Sequence, residues 1–204
     1  MVWAILALAG VCTTTSERPG TVASDSLATL YRSGITWQEF FAGAKARKEM
    51  WRDNFDRGAP DSAVVVRARA VAGSWRLLAV AEDWCGDSAN TVPYLARLVD
   101  QVPGLELRIV DSKKGKWVME RHQTPDGRPA TPTIVLLDPE GNERGCFVER
   151  PAQLRAWVAE NKPKLSEDDF QSAKMAWYRK DQGHQTVLEI VELLEMAAAG
   201  TPRC

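Results

Sequence analysis

The chain has 204 residues, 45% of them hydrophobic, with 26 basic and 27 acidic side chains and a formal net charge of −1. That balance excludes a broadly basic binder of nucleic acid or anionic membranes, and the length suits one domain with a substantial core. Four cysteines, Cys12, Cys85, Cys146 and Cys204, form no CxxC pair, and with His122 and His184 they offer no zinc-type spacing, so neither a disulfide-dense scaffold nor a metal is expected.

Residues 1–24 read as an export segment or a disordered N-terminus. Val2 to Cys12 is apolar, too short to span a bilayer, and carries the small-residue step Ala7-Leu8-Ala9. No Lys or Arg precedes the run, which leaves a cytoplasmic N-terminus as the alternative to export to the periplasm. Residues 25–204 read as one domain. Thr36 and Glu39 form a T-W-Q-E capping box opening a helix expected to run to about Phe55. Asp61 or Ser62 caps a helix through Val71, although the Val64-Val65-Val66 run also allows a strand. Leu77 to Ala81 is a continuous apolar strand of the kind buried on both faces. A helix follows from Cys85 through Val99, then a strand over Leu105–Val110. The basic cluster Lys113-Lys114-Gly115-Lys116 reads as a solvated turn before a helix to His122, expected to be an exposed helix-end histidine. Thr133–Leu137 and Cys146–Glu149 read as a hairpin, with Cys146 in the core. Pro151 opens a helix through Val158. Ser166 and Asp169 cap a helix to about Lys180, and Thr186–Ala199 forms the last. The order implies an α/β fold with a parallel strand pair and an antiparallel edge.

The chemistry-bearing stretch is LLAVAEDWCGDSANTVP, Leu77 to Pro93. Cys85 follows a buried strand and opens a helix, where unpaired backbone N–H groups favour thiolate over thiol. Glu82, Asp83 and Asp87 oppose this by charge. Ser88 stands one turn on, with a hydroxyl able to donate to the Cys85 sulfur. Most of the eight tryptophans, among them Trp37, Trp51, Trp157 and Trp177, fall on helices and read as packing.

This stretch resembles the active-site segment of thioredoxin-like proteins. Trp84-Cys85-Gly86-Asp87-Ser88 matches the motif, Pro93 stands where that family has a helix-kinking proline, and Thr131-Pro132-Thr133 resembles its cis-proline segment. The likeness covers about residues 76–158, and the flanking helices resemble a bacterial subgroup with helical extensions. It implies a thioredoxin-like fold, with a mixed central sheet flanked by helices and extra N- and C-terminal helices. It also implies a part in cell redox homeostasis, with Cys85 and Ser88 as catalytic residues and Trp84, Gly86, Asp87, Thr131 and Pro132 contacting substrate.

Two departures bear on mechanism. Ser88 stands in place of the second cysteine, and Ala79 in place of the buried acid six residues before the nucleophile. The reading is therefore a monothiol thiol–disulfide oxidoreductase without a cofactor. It acts on protein or low-molecular-weight disulfides, and an external small thiol such as glutathione releases the mixed disulfide. Cys146 or Cys204 is the internal alternative for that release. Arg128, near the Thr-Pro-Thr step, is a weaker candidate for contacting an anionic thiol. The competing function is a redox-inactive module that binds extended partners in the groove beside Trp84. A peroxidase fits less well, because Glu82 occupies the position where such enzymes place a threonine or serine.

Overall fold

A computed structural model describes residues 21–204. The apolar N-terminal run and Cys12 lie outside the described residues. Four strands form the centre: β1 (Trp75–Val80), β2 (Leu105–Val110), β3 (Thr133–Leu137) and β4 (Glu143–Val148), in the order β2-β1-β3-β4. β1 and β2 are parallel, as a strand pair joined through helices must be, while β3 runs antiparallel to both β1 and β4.

Successive residues of a strand face opposite sides of the sheet. Leu77 and Ala79 face one side and pack with Trp51, Leu95, Leu98, Ile134, Val191 and Leu194. Leu78 and Val80 face the other, with Leu27, Tyr31, Val118 and Val135. This two-sided burial explains why Leu77–Val80 of β1 and Ile134–Leu137 of β3 are continuously apolar. Each fully buried leucine contributes about 1.5–3 kcal/mol.

Ten α-helices surround the sheet among the described residues: α1 (Thr21–Arg32), α2 (Trp37–Gly43), α3 (Lys48–Arg57), α4 (Ser62–Ala70), α5 (Gly86–Ala89), α6 (Val92–Val99), α7 (Lys116–Arg121), α8 (Ala152–Asn161), α9 (Glu167–Asp181) and α10 (His184–Ala198). The capping box at Thr36 forms with both of its reciprocal bonds, and Asp61 and Ser166 cap α4 and α9.

Three elements differ from expectation. A helix begins at Thr21, ahead of the first one expected, and buries Leu27 and Tyr31. The helix expected over Thr36–Phe55 divides into α2 and α3, because Lys45 and Ala46 turn their N–H groups onto the Asp83 carboxylate and Arg47 adopts a left-handed conformation. The helix expected from Cys85 to Val99 also divides. α5 ends at Ala89, and α6 restarts at Val92 with Pro93 in its first turn, where a missing N–H costs nothing.

The joint between α9 and α10 passes through Gln182 and Gly183, both at positive φ. A side chain on Gly183 would collide with the Tyr94 ring, so glycine lets α10 lie against α6. Beyond α10 the chain returns to the sheet edge. Arg203 bridges Gly145 in parallel fashion, and the Cys146 N–H donates to the Arg203 carbonyl at 3.1 Å. Cys146 and Cys204 then form a disulfide across 58 residues. This corrects two expectations: Cys146 is a half-buried edge residue rather than a core hydrophobe, and Cys146 and Cys204 are bonded to each other rather than free to release a mixed disulfide.

Candidate functional site

The loop between β1 and α5 is held from several sides. Glu82 Oε1 accepts the Ser112 N–H at 2.8 Å. Asp83 Oδ2 accepts the Lys45 and Ala46 N–H groups at 2.7 and 3.0 Å, and these bonds hold its carboxyl below the ordinary range. The fully buried Trp51 donates its indole N–H to the Asp83 carbonyl at 2.9 Å, and Arg47 Nε donates to the Trp84 carbonyl at 2.7 Å. Asn54 donates to the Ala89 carbonyl at 2.7 Å. The α2–α3 extension therefore clamps both ends of the WCGDS segment. Its own aromatics stack to make that clamp, with Trp37 and Phe55 ring centres 5.1 Å apart.

Cys85 is the free cysteine among the described residues, and it is half-buried. It caps α5. The Ser88 N–H donates to its sulfur at 3.4 Å, and the thiol donates to the Thr131 carbonyl at 3.2 Å. The Thr131–Pro132 peptide bond is cis. Thr131 is half-buried and meets Cys85 through its carbonyl, and Pro132, the next residue, is buried. Because α5 has only four residues, the local Ser88 amide matters more to the sulfur than an extended helix dipole.

The structure corrects the role expected of the Ser88 hydroxyl. Ser88 is fully buried, and its Oγ has no hydrogen-bond partner. The contact with Cys85 comes from the Ser88 backbone instead.

Asp87 is corrected as well. It was expected to contact substrate and to repel a thiolate, but it is buried and turned inward. Arg150 grips both of its oxygens at 3.2 and 2.9 Å. Lys174 donates to Oδ2 at 3.2 Å and Tyr178 to Oδ1 at 2.8 Å. Burial pushes the Asp87 carboxyl up, but the Arg150 bonds and charge, followed by the Lys174 charge and the Tyr178 bond, outweigh it and hold the group below its usual range. Burial beside the Asp87 charge drives the Tyr178 phenol well up. Two cations thus neutralise Asp87, whose role is to fasten α5 to α9 and to the turn after β4.

The remaining predicted residues divide. Trp84 is 60% exposed, the one aromatic ring on this loop open to solvent. Gly86 is half-buried, and a side chain there would meet Met175 and the Arg47 guanidinium. Arg128 is committed to Asp126 at 2.7 Å and Glu149 at 3.4 Å. His122 is buried, against the expectation of an exposed helix end. The sequence marks neither Arg150, Lys174, Tyr178 and Arg47 nor the hydrogen bond of Trp51, which reads only as packing. For the three partners of Asp87 the usable signal is an acid in a motif that opens a buried helix, since such a charge must find partners.

A family model described as Thioredoxin matches residues 34–165. No curated protein matches the sequence. Among solved structures, the chain is similar to a protein of unknown function from Pseudomonas aeruginosa, at 22% identity and a TM-score of 0.65, covering 83% of this chain and 97% of that one. It is also similar to a 4E10 HIV epitope-scaffold, at 21% identity and a TM-score of 0.66, covering 82% and 96%. At these identities the two structures speak to fold alone.

Proposed function

The chain belongs to the thioredoxin family, and we propose that within it Cys85 acts alone as the nucleophile of a monothiol thiol–disulfide oxidoreductase. One observation carries the reading. The sulfur of Cys85 lies between the Ser88 amide and the Thr131 carbonyl, while Cys146 and Cys204 are bonded to each other and offer no free thiol. In the first step the Cys85 thiolate attacks a disulfide RS–SR′, forming Cys85–S–SR and releasing R′S⁻. An external thiolate then attacks the mixed disulfide and restores Cys85, leaving with R as a new disulfide. Glutathione or a comparable small thiol supplies that second attack. The Ser88 N–H supports negative charge on the sulfur in both steps. The exposed Trp84 ring and the Thr131–Pro132 turn offer an apolar face and a backbone edge to an extended substrate.

Intact-mass analysis tests this. Incubation with oxidised glutathione is expected to add one glutathione to the chain, removed by excess reduced glutathione and absent in Cys85→Ser. Iodoacetamide is expected to alkylate Cys85 in the native chain, and prior formation of the glutathione mixed disulfide is expected to block that alkylation. No glutathione adduct on Cys85 would sink the reading. The redox-inactive alternative predicts instead that Cys85→Ala retains partner capture undiminished.

A further inference from the structure

A second cluster of sulfur and nitrogen stands at the edge strand β4. His122 caps the end of α7, Cys146 lies in β4, and Cys204 follows α10. Their ligand atoms all lie within 4.8 Å of one another. Cys204 Sγ is 3.0 Å from His122 Nδ1. Across the ring, Glu143 Oε1 lies 3.3 Å from Nε2, which makes no hydrogen bond, and the Arg121 guanidinium lies 3.2 Å from the other Glu143 oxygen. The buried imidazole thus has one nitrogen at sulfur and the other beside a carboxylate, and a small rotation would make the hydrogen bond by which second-shell carboxylates orient metal-ligating histidines.

In the disulfide form the two sulfurs carry no thiolate charge and make poor ligands. A dithiol reductant changes this, delivering two electrons and two protons, so that it becomes a disulfide and Cys146 and Cys204 become thiols. We propose that the reduced chain binds one zinc-class divalent cation through Cys146 Sγ, Cys204 Sγ and His122 Nδ1, and that formation of the Cys146–Cys204 disulfide expels it. Binding releases one proton from each thiol to solvent, and in the expelling step a small-molecule disulfide takes the two electrons of the thiolate pair and leaves as two thiolates as the Cys146–Cys204 bond forms. Two thiolates and an imidazole select a soft or borderline ion over magnesium or calcium. Four-coordinate geometry with metal–sulfur bonds near 2.3 Å puts two sulfurs roughly 3.8 Å apart, within the span that already encloses the three ligand atoms. Cys204 can adjust because its segment meets β4 through the short Gly145–Arg203 bridge. A water completes the fourth position. The site is separate from Cys85 and does not depend on the function proposed for it.

Cobalt(II) tests the inference. The full chain is reduced with a phosphine, freed of it without air, and titrated with cobalt. One equivalent is expected to bind, giving visible tetrahedral bands and near-ultraviolet thiolate-to-cobalt charge transfer, both removed by zinc. The same chain with its disulfide intact is expected to show neither, a comparison that no folding defect can confuse. Cys146→Ser and His122→Ala are expected to weaken binding at least about tenfold, and Glu143→Gln by about tenfold. Cys85→Ser is expected to retain the bands. Absence of bands in the reduced chain, bands that survive Cys146→Ser, or bands lost in Cys85→Ser would each overturn the site.

Discussion

Replacing Asp87 by asparagine is expected to destabilise the chain by about 3–5 kcal/mol, the usual cost of leaving a buried charge without its partner. The reason lies in what remains. Lys174, 7% exposed, would keep its charge with no anion among its hydrogen-bond partners, and Arg150, 12% exposed, would rely on Glu149 at 2.9 Å. Urea unfolding at pH 7 measures the loss, and a fall of roughly 10 °C in Tm should accompany it. The exposed pair of Asp126 and Arg128 serves as a control, since Asp126→Asn should change stability little. Joining Lys174→Met to Asp87→Asn should recover part of the loss, because an apolar side chain of similar length suits the pocket better than an unpaired ammonium. A loss below about 1 kcal/mol in the single variant would mean that the cations find water by local opening, and that Asp87 does not fasten α9.

The pH dependence has a definite sign. The folded-state pKa of Asp87 lies below that of an unfolded aspartate, near 3.9, so the unfolded chain binds the proton more readily. The stabilisation is present above the unfolded value and is lost as pH falls through the lower, folded one. Stability of the unmodified chain should therefore drop below about pH 5, and Asp87→Asn should flatten that slope.

Much of the fold was legible because its signals are local. β1 and β3 announce themselves as apolar runs, and the caps at Thr36, Asp61 and Ser166 sit within three residues of what they bond. Cys85 and the Thr131-Pro132 step were likewise visible as short motifs. What escaped depends on partners distant in sequence. Asp87 meets Arg150, Lys174 and Tyr178 across 63, 87 and 91 residues, so the motif showed an acid but not its neutralisation. The break between α2 and α3 depends on Asp83, 37 and 38 residues away, competing for two backbone N–H groups of an otherwise helical pattern. His122, Cys146 and Cys204 have no metal-like spacing because three separate elements deliver them to one place.

Ser88→Cys is expected to raise disulfide reduction of insulin, driven by a dithiol, by at least about tenfold, with little cost in stability. Position 88 is fully buried, and its hydroxyl already lacks a partner, so a thiol replaces an unsatisfied polar atom with a group suited to an apolar site. The backbone at 88 already reaches the Cys85 sulfur at 3.4 Å, which places the two side chains one helical turn apart. The introduced thiol would attack the Cys85 sulfur of a mixed disulfide, release the substrate thiol and leave an 85–88 disulfide for the external dithiol to reduce. Making this attack intramolecular removes the entropy of capturing a second thiol, an advantage that grows with good alignment. Ala79, in β1, offers no acid to carry the resolving proton, so the gain should be greatest at higher pH, where the new thiol ionises unaided. Mass analysis separates the ways this could fail. If the 85–88 disulfide forms without faster insulin reduction, the groove beside Trp84 does not admit a protein disulfide, and a small substrate is favoured. If no such disulfide forms, α5 holds the two positions too rigidly for exchange, and the redox-inactive reading gains. A rise in activity would mean that the single atom at position 88 separates this site from a dithiol enzyme, with the Ser88 amide, the Thr131 carbonyl and the clamps on the loop already in place.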